Sequence, residues 1–170
     1  MPGVFIPGIF NYIRYMNIFV LDKDPKKAAR MQGDKHVVKM ILESAQLLSS
    51  VHWMTGGEAH YRLTHKNHPC SKWARESMDN YNWLCYHAKE LCAEYTRRYN
   101  KVHKSQPIIE NLCNQLPDIP HKGLTDFPLA MPDDVKTSGD PVKSYRDYYM
   151  KYKKDIVKWN HSKKPNWYEI

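Results

Sequence analysis

A chain of 170 residues is long enough to bury one sizeable core; with 26 Lys and Arg against 18 Asp and Glu, a formal charge of +8 and a pI near 9.2, it favours an anionic partner, nucleic acid foremost. No stretch approaches the roughly 20 apolar residues of a membrane span. Its four cysteines have neither CxxC spacing nor the density of a disulfide scaffold, which favours a reducing, intracellular compartment.

Taken in chain order, the first fifteen residues, MPGVFIPGIFNYIRY, are broken by Pro and Gly and nearly free of charge, so they read as an N-terminal extension, with a single domain over residues 16–170. MNIFV at Met16 reads as an irregular lead-in. Asp24-Pro25 supplies a cap and a first-turn proline for a short helix that Gly33 stops. Asp34 is expected to cap a second helix to about Trp53, with Val37, Met40, Ile41, Leu47, Leu48 and Val51 as its apolar stripe and TGGE as its end. From Pro69 the apolar residues Trp73, Tyr81, Leu84, Ala88, Leu91 and Tyr95 recur at helical intervals without internal Gly or Pro, which predicts one long central helix from about Cys70 to Asn100. Cys85 and Cys92, seven apart, share a face of it as small core residues. A short helix follows Ser105, a proline-punctuated loop runs from Pro117 to Asp134, and Asp140-Pro141 opens a last helix to Trp159. No strand pattern appears. The expected fold is all-α, compact and helical.

On the second helix, His36, Lys39, Glu43 and Gln46 lie at steps of three, four and three, on one polar face. Lys39 and Glu43 fit an ordinary surface pair; the same carboxylate beside a cation, if shielded from water, is an acid, base or charge stabiliser. Charge is also clustered. Residues 61–104 carry nine Lys and Arg against four Asp and Glu, and residues 143–164 carry eight against two, both zones interleaved with aromatics. Solvated helix faces explain such zones, and so does a phosphate footprint with rings for stacking on bases. YRLTHKNHPCSKW offers His65, His68 and Cys70, with His52 and His60 upstream, as metal ligands, although HxxHxC is no recognised finger spacing. The alternative is a helix N-terminus at Pro69, where free amides, Lys66, Asn67, His68, Lys72 and Arg75 meet a phosphate. No metal and no cofactor are expected.

The order of these features, MNIFV, a short helix, Glu43 within MILESAQLL, NHP opening a helix that ends EYTRRYN, and finally KPNWYEI, resembles the bacteriophage pyrimidine-dimer DNA glycosylases with AP-lyase activity, the endonuclease V type, and small bacterial proteins grouped near them. The likeness runs from Met16 to Ile170. It implies an all-α enzyme with the chain-terminal α-amine as nucleophile and Glu43 as catalytic carboxylate. An α-amine, with a pKa of about 7.7–8.0 against about 10.4 for lysine, is partly neutral at physiological pH. Three positions differ from the family pattern: Asn17 and Ile18 follow Met16 where the family has threonine and arginine after its initiator, and Leu42 precedes Glu43 where the family has arginine, with Lys39 one turn back.

On this reading Glu43, Lys39 and His36 are the catalytic candidates. Lys66, Asn67, His68, Lys72, Arg75, Arg97, Arg98 and Trp167 are the candidates for contact with a kinked duplex bearing a flipped nucleotide. The partner is double-stranded DNA, without a membrane, and the protein is a cytoplasmic monomer in a bacterium or phage-infected cell. The alternatives are a non-catalytic nucleic-acid-binding protein on the same scaffold and a metal-dependent hydrolase built on the His/Cys group.

Overall fold

The computed structural model describes residues 16–170; the expected extension over residues 1–15 lies outside them. Those described residues form six α-helices and no strand: α1 Pro25–Met31, α2 Asp34–Thr55, α3 Pro69–Glu76, α4 Met78–Tyr99, α5 Gln106–Cys113 and α6 Pro141–Tyr152, with a 3-10 turn at Asp133–Val135 before α6. The fold is all-α, as the periodicities predict.

Local chemistry accounts for most boundaries. The Asp24 carboxylate accepts from the Lys26 and Lys27 amides with Pro25 in the first turn, and Asp140 does the same for Lys143 ahead of Pro141. Gly56 ends α2 at φ +76, a left-handed conformation that glycine adopts without a Cβ penalty.

Four expectations are corrected. Asp34 does not cap α2: Gly33 does, and Asp34 is the first helical residue. A Cβ at Gly33 would lie 3.0 Å from Val157 Cγ1 and 3.3 Å from Lys158 N, so the glycine admits the C-terminal segment, whose Lys158 carbonyl accepts the Asp34 amide at 2.8 Å. The long helix from Pro69 breaks at Ser77 into α3 and α4. There the loop at 120–123 intrudes: Met78 N donates to Pro120 O at 2.9 Å, and Ser77 Oγ donates to Gly123 O at 2.7 Å while capping Asp79 N. Finally, Cys85 is joined to Cys113 as a disulfide between α4 and α5, whereas Cys70 and Cys92 are free and buried. α6 also ends at Tyr152, seven residues short of Trp159, which sits in an irregular segment.

α2 and α4 run antiparallel, since Asp34 meets Arg98 at one end and His52 meets Tyr81 at the other. α1 and α5 flank this pair: Trp83 Nε1 donates to Lys23 O, and Tyr81 OH to Leu112 O. The lead-in of residues 16–20 is wholly buried between α2 and α6 partners. Asn17 Oδ1 accepts from Ile18 N and Phe19 N, and Asn17 Nδ2 donates to Ala130 O at 2.8 Å. No helix among the described residues is long and apolar enough to cross a membrane.

Candidate active site

The polar face of α2 is not uniform. Lys39 is exposed and Gln46 half-buried, but His36 and Glu43 are each only 6% exposed. The lead-in covers them. Phe19 is held at φ +55, an unfavourable region for a bulky side chain that costs about 1–3 kcal/mol. Its ring stacks on His36 at 4.5 Å and on Tyr148 of α6 at 6.0 Å.

Glu43 lies beside the start of the described chain, with the Asn17 backbone hydrogen-bonded to its carboxyl. Burial pushes its pKa up to about 7, against the opposing pull of Lys39, the Asn17 backbone and Lys153. The other carboxyl oxygen, Oε2, is buried without a hydrogen-bond partner. At neutral pH both protonation states are therefore populated, the condition an acid that must later serve as base requires. The surface-pair reading of Lys39 and Glu43 does not describe a carboxyl this deeply buried.

His36 has a different task. Its Nδ1 lies 2.7 Å from the Tyr149 hydroxyl, and burial, with the charges of Lys153 and Lys39, lowers its pKa to about 3. The ring is neutral at physiological pH and holds Phe19 and Tyr149 in place.

Sequence reasoning missed Lys153. It follows Tyr145 and Tyr149 at steps of four, on the buried face of α6, and terminates that helix. The residue is 8% exposed, with its ammonium 4.9 Å over the Tyr148 ring. Burial and the Lys39 charge bring its pKa down to about 8, against the opposing pull of Glu43. A lysine continuing an aromatic stripe was the available signal; within a zone of eight basic residues it looked like one more solvated charge.

A family model described as pyrimidine dimer DNA glycosylase matches residues 16–107, more than half of the 170-residue chain. The chain belongs to the pyrimidine dimer DNA glycosylase family. Comparison with curated proteins and with solved structures gives no match. Membership makes DNA the substrate class. The matched span contains the lead-in, His36, Lys39, Glu43 and the start of α3; Lys153 and Trp167 lie beyond it.

In this member of the glycosylase family the expected DNA-contact residues fall into two groups. The first surrounds the start of α3. His68 Nδ1 accepts from the Cys70 amide at 3.1 Å, with Pro69 in the first turn, while Lys66, Asn67 and Lys72 are exposed and Arg75 is half-buried. This end adjoins Glu43, because the buried Cys70 thiol is pushed up by burial and by the Glu43 charge. The second group is at the far end of α2, about nine residues or ~13 Å along the helix. Arg98 departs from the expectation: its side chain is fully buried, with Nε 2.9 Å from Glu94 Oε2 and Nη1 3.2 Å from Asp34 Oδ1. Arg97 is half-exposed but grips Glu94 at 2.6 Å and Ser162 Oγ at 3.0 Å. Trp167 is half-buried, its indole N–H on Met31 Sδ and the Arg146 guanidinium 5.1 Å over its ring.

The histidines proposed as metal ligands have separate partners. His52 Nε2 lies 2.7 Å from Tyr81 OH, His60 Nε2 2.8 Å from Asn111 Oδ1, and His65 Nδ1 2.7 Å from Thr64 Oγ1. Among the described residues no group of three or more His, Cys, Asp or Glu is placed to hold a metal ion. Two surface concavities are walled by Lys154, Trp159, Lys164 and Tyr168 and by Asp134, Lys143 and Lys151; neither includes Glu43.

Proposed function

We propose that this protein excises damaged pyrimidines from double-stranded DNA and then cleaves the abasic strand. The observation that carries this reading is Glu43: a buried carboxyl of pKa about 7, beside the segment where the family match begins. Both activities need such a group. Departure of the base leaves positive charge on the sugar, which a nearby carboxylate stabilises, and strand cleavage needs a proton removed from C2′. An unprotonated amine at C1′ links the two steps by forming an imine. The amides at the start of α3, with Lys66 and Lys72 beside them, hold the flanking phosphates. Residues 16–170 act as a single domain, supported by the one contiguous core that all six helices share.

The test is Glu43→Gln, which keeps the volume and removes ionisation. On UV-irradiated duplex DNA, base release and strand scission should fall by about 10²–10⁴-fold, the usual range for a lost acid–base group, with DNA affinity retained. Unchanged scission by this variant would overturn the assignment.

A further inference from the structure

Burial leaves a narrow strip of α2 in solvent. From Asp34 to Ala45 its exposed residues are Lys35, Val38, Lys39 and Leu42, two lysines and two aliphatic side chains with no acid between them. Val38 and Leu42 are 38% and 39% exposed and stand one turn apart, at i and i+4, on one line along the helix. At about 100° per residue, Lys39 falls between Leu42 and Glu43 around the helix. The turn after α4 borders the strip on its other side. His103 Nδ1 accepts the Ser105 amide at 3.0 Å, so its Nε2–H donates to Val38 O at 3.2 Å, and Tyr95 packs edge-on against the ring at 5.0 Å. This turn presents Lys101, Val102 and Lys104, all exposed, Val102 by 64%. Three aliphatic side chains, Val38, Leu42 and Val102, are thus bracketed by four lysines, and Leu42 is the residue next to Glu43.

Lysines suffice to hold phosphates; aliphatic side chains set among them add nothing for a phosphate and suit the apolar part of a duplex, its stacked bases. Glu43, 6% exposed, requires that the stack be opened, because a nucleotide held inside a duplex does not bring its sugar to a carboxyl this deep. We propose that Leu42, backed by Val38, is an apolar wedge that enters the base stack beside the damaged nucleotide and holds that step open, an inference that rests on the glycosylase reading above. Lys35 and Lys39 on one side, and Lys101 and Lys104 on the other, hold the phosphates that flank the opened step. The occupant of this surface is duplex DNA, since a strip with four lysines and no acid complements a phosphate backbone. Unstacking costs least where damage has already weakened the stack, so the wedge also favours a lesion over intact sequence.

The experiment uses the full-length protein and a duplex carrying a thymine dimer with 2-aminopurine as the adjoining base, whose fluorescence rises when it unstacks. The parent should raise the emission on binding. Leu42→Ala should lose most of that rise and slow base release by about 10-fold or more; Leu42→Lys should do the same while binding the duplex at least as tightly. Both deficits should largely disappear on a duplex in which the dimer and its neighbours face mismatched bases, where the step is already open. Leu116→Ala, at a leucine 85% exposed just beyond α5, should behave as the parent, and thermal melts check that each variant is folded. Undiminished fluorescence and base release in Leu42→Ala overturn the wedge, and so does an equal loss on paired and mismatched substrates. A parent that releases the base without a rise in emission removes the wedge alone. A parent that unstacks the probe but releases no base keeps the wedge and removes the glycosylase reading, and absence of binding removes both.

Discussion

Glu43 and Glu94 are buried to the same degree, at 6% and 5% exposure, yet burial has opposite outcomes for them. Burial opposes ionisation of Glu94 too, but hydrogen bonds and charges from Arg97 and Arg98 outweigh it and hold the group below the ordinary carboxylate value. Glu43 has lysines and one backbone contact nearby, and burial wins. The difference is geometric. A guanidinium meets a carboxylate through several aligned N–H groups, whereas a lysine offers a compact charge. Glu94 becomes a rivet, joined through Arg98 to Asp34, Gln32 O and Arg30 O, while Asp34 Oδ2 accepts the Asn160 and His161 amides. Glu43 keeps a proton in play. The ion-pair network sits at one end of α2, and a buried carboxyl with a raised pKa sits in its middle.

The largest effect should come from breaking the rivet. Arg98→Met leaves Glu94 and Asp34 as buried carboxylates without their central partner, which costs about 3–5 kcal/mol; a urea titration showing less than 1 kcal/mol would make the two ends of α2 equivalent. Glu43→Gln should move stability the other way. Because its folded pKa, about 7, exceeds the ordinary 4.5, the folded state binds more protons between those values. Its unfavourable contribution therefore grows as pH rises from 4.5 to 7 and levels off above, at about 3 kcal/mol. The variant should match the parent near pH 4 and exceed it by up to about 3 kcal/mol at pH 8. Equal stability at pH 8 would show that Glu43 ionises without cost. The smallest effect separates the basic groups. Lys66→Gln and Lys72→Gln should each reduce the salt slope of DNA binding by about 0.9, and Arg97→Gln by less, since its guanidinium is already engaged by Glu94 and Ser162. An equal loss for Arg97 would extend the DNA footprint to the far end of α2.

Sequence by itself determined the helical class, the apolar stripe of α2 and the proline-marked starts of α1, α3 and α6, because periodicity and capping are local properties written in neighbouring residues. It also placed Lys39, Glu43 and His36 on one face. Only the tertiary structure decided what that face became. The lead-in of residues 16–20 lies over His36 and Glu43 but leaves Lys39 in water, a division that spacing along one helix does not contain. Contacts from afar also broke the helix at Ser77, through the loop at 120–123, and turned Arg98 inward to Asp34, 64 residues away. Lys153 shows the same physics most clearly. Of the eight basic residues in its zone it is the one that is buried, and burial arises from what α6 packs against, Phe19 and α2, about a hundred or more positions earlier in the chain.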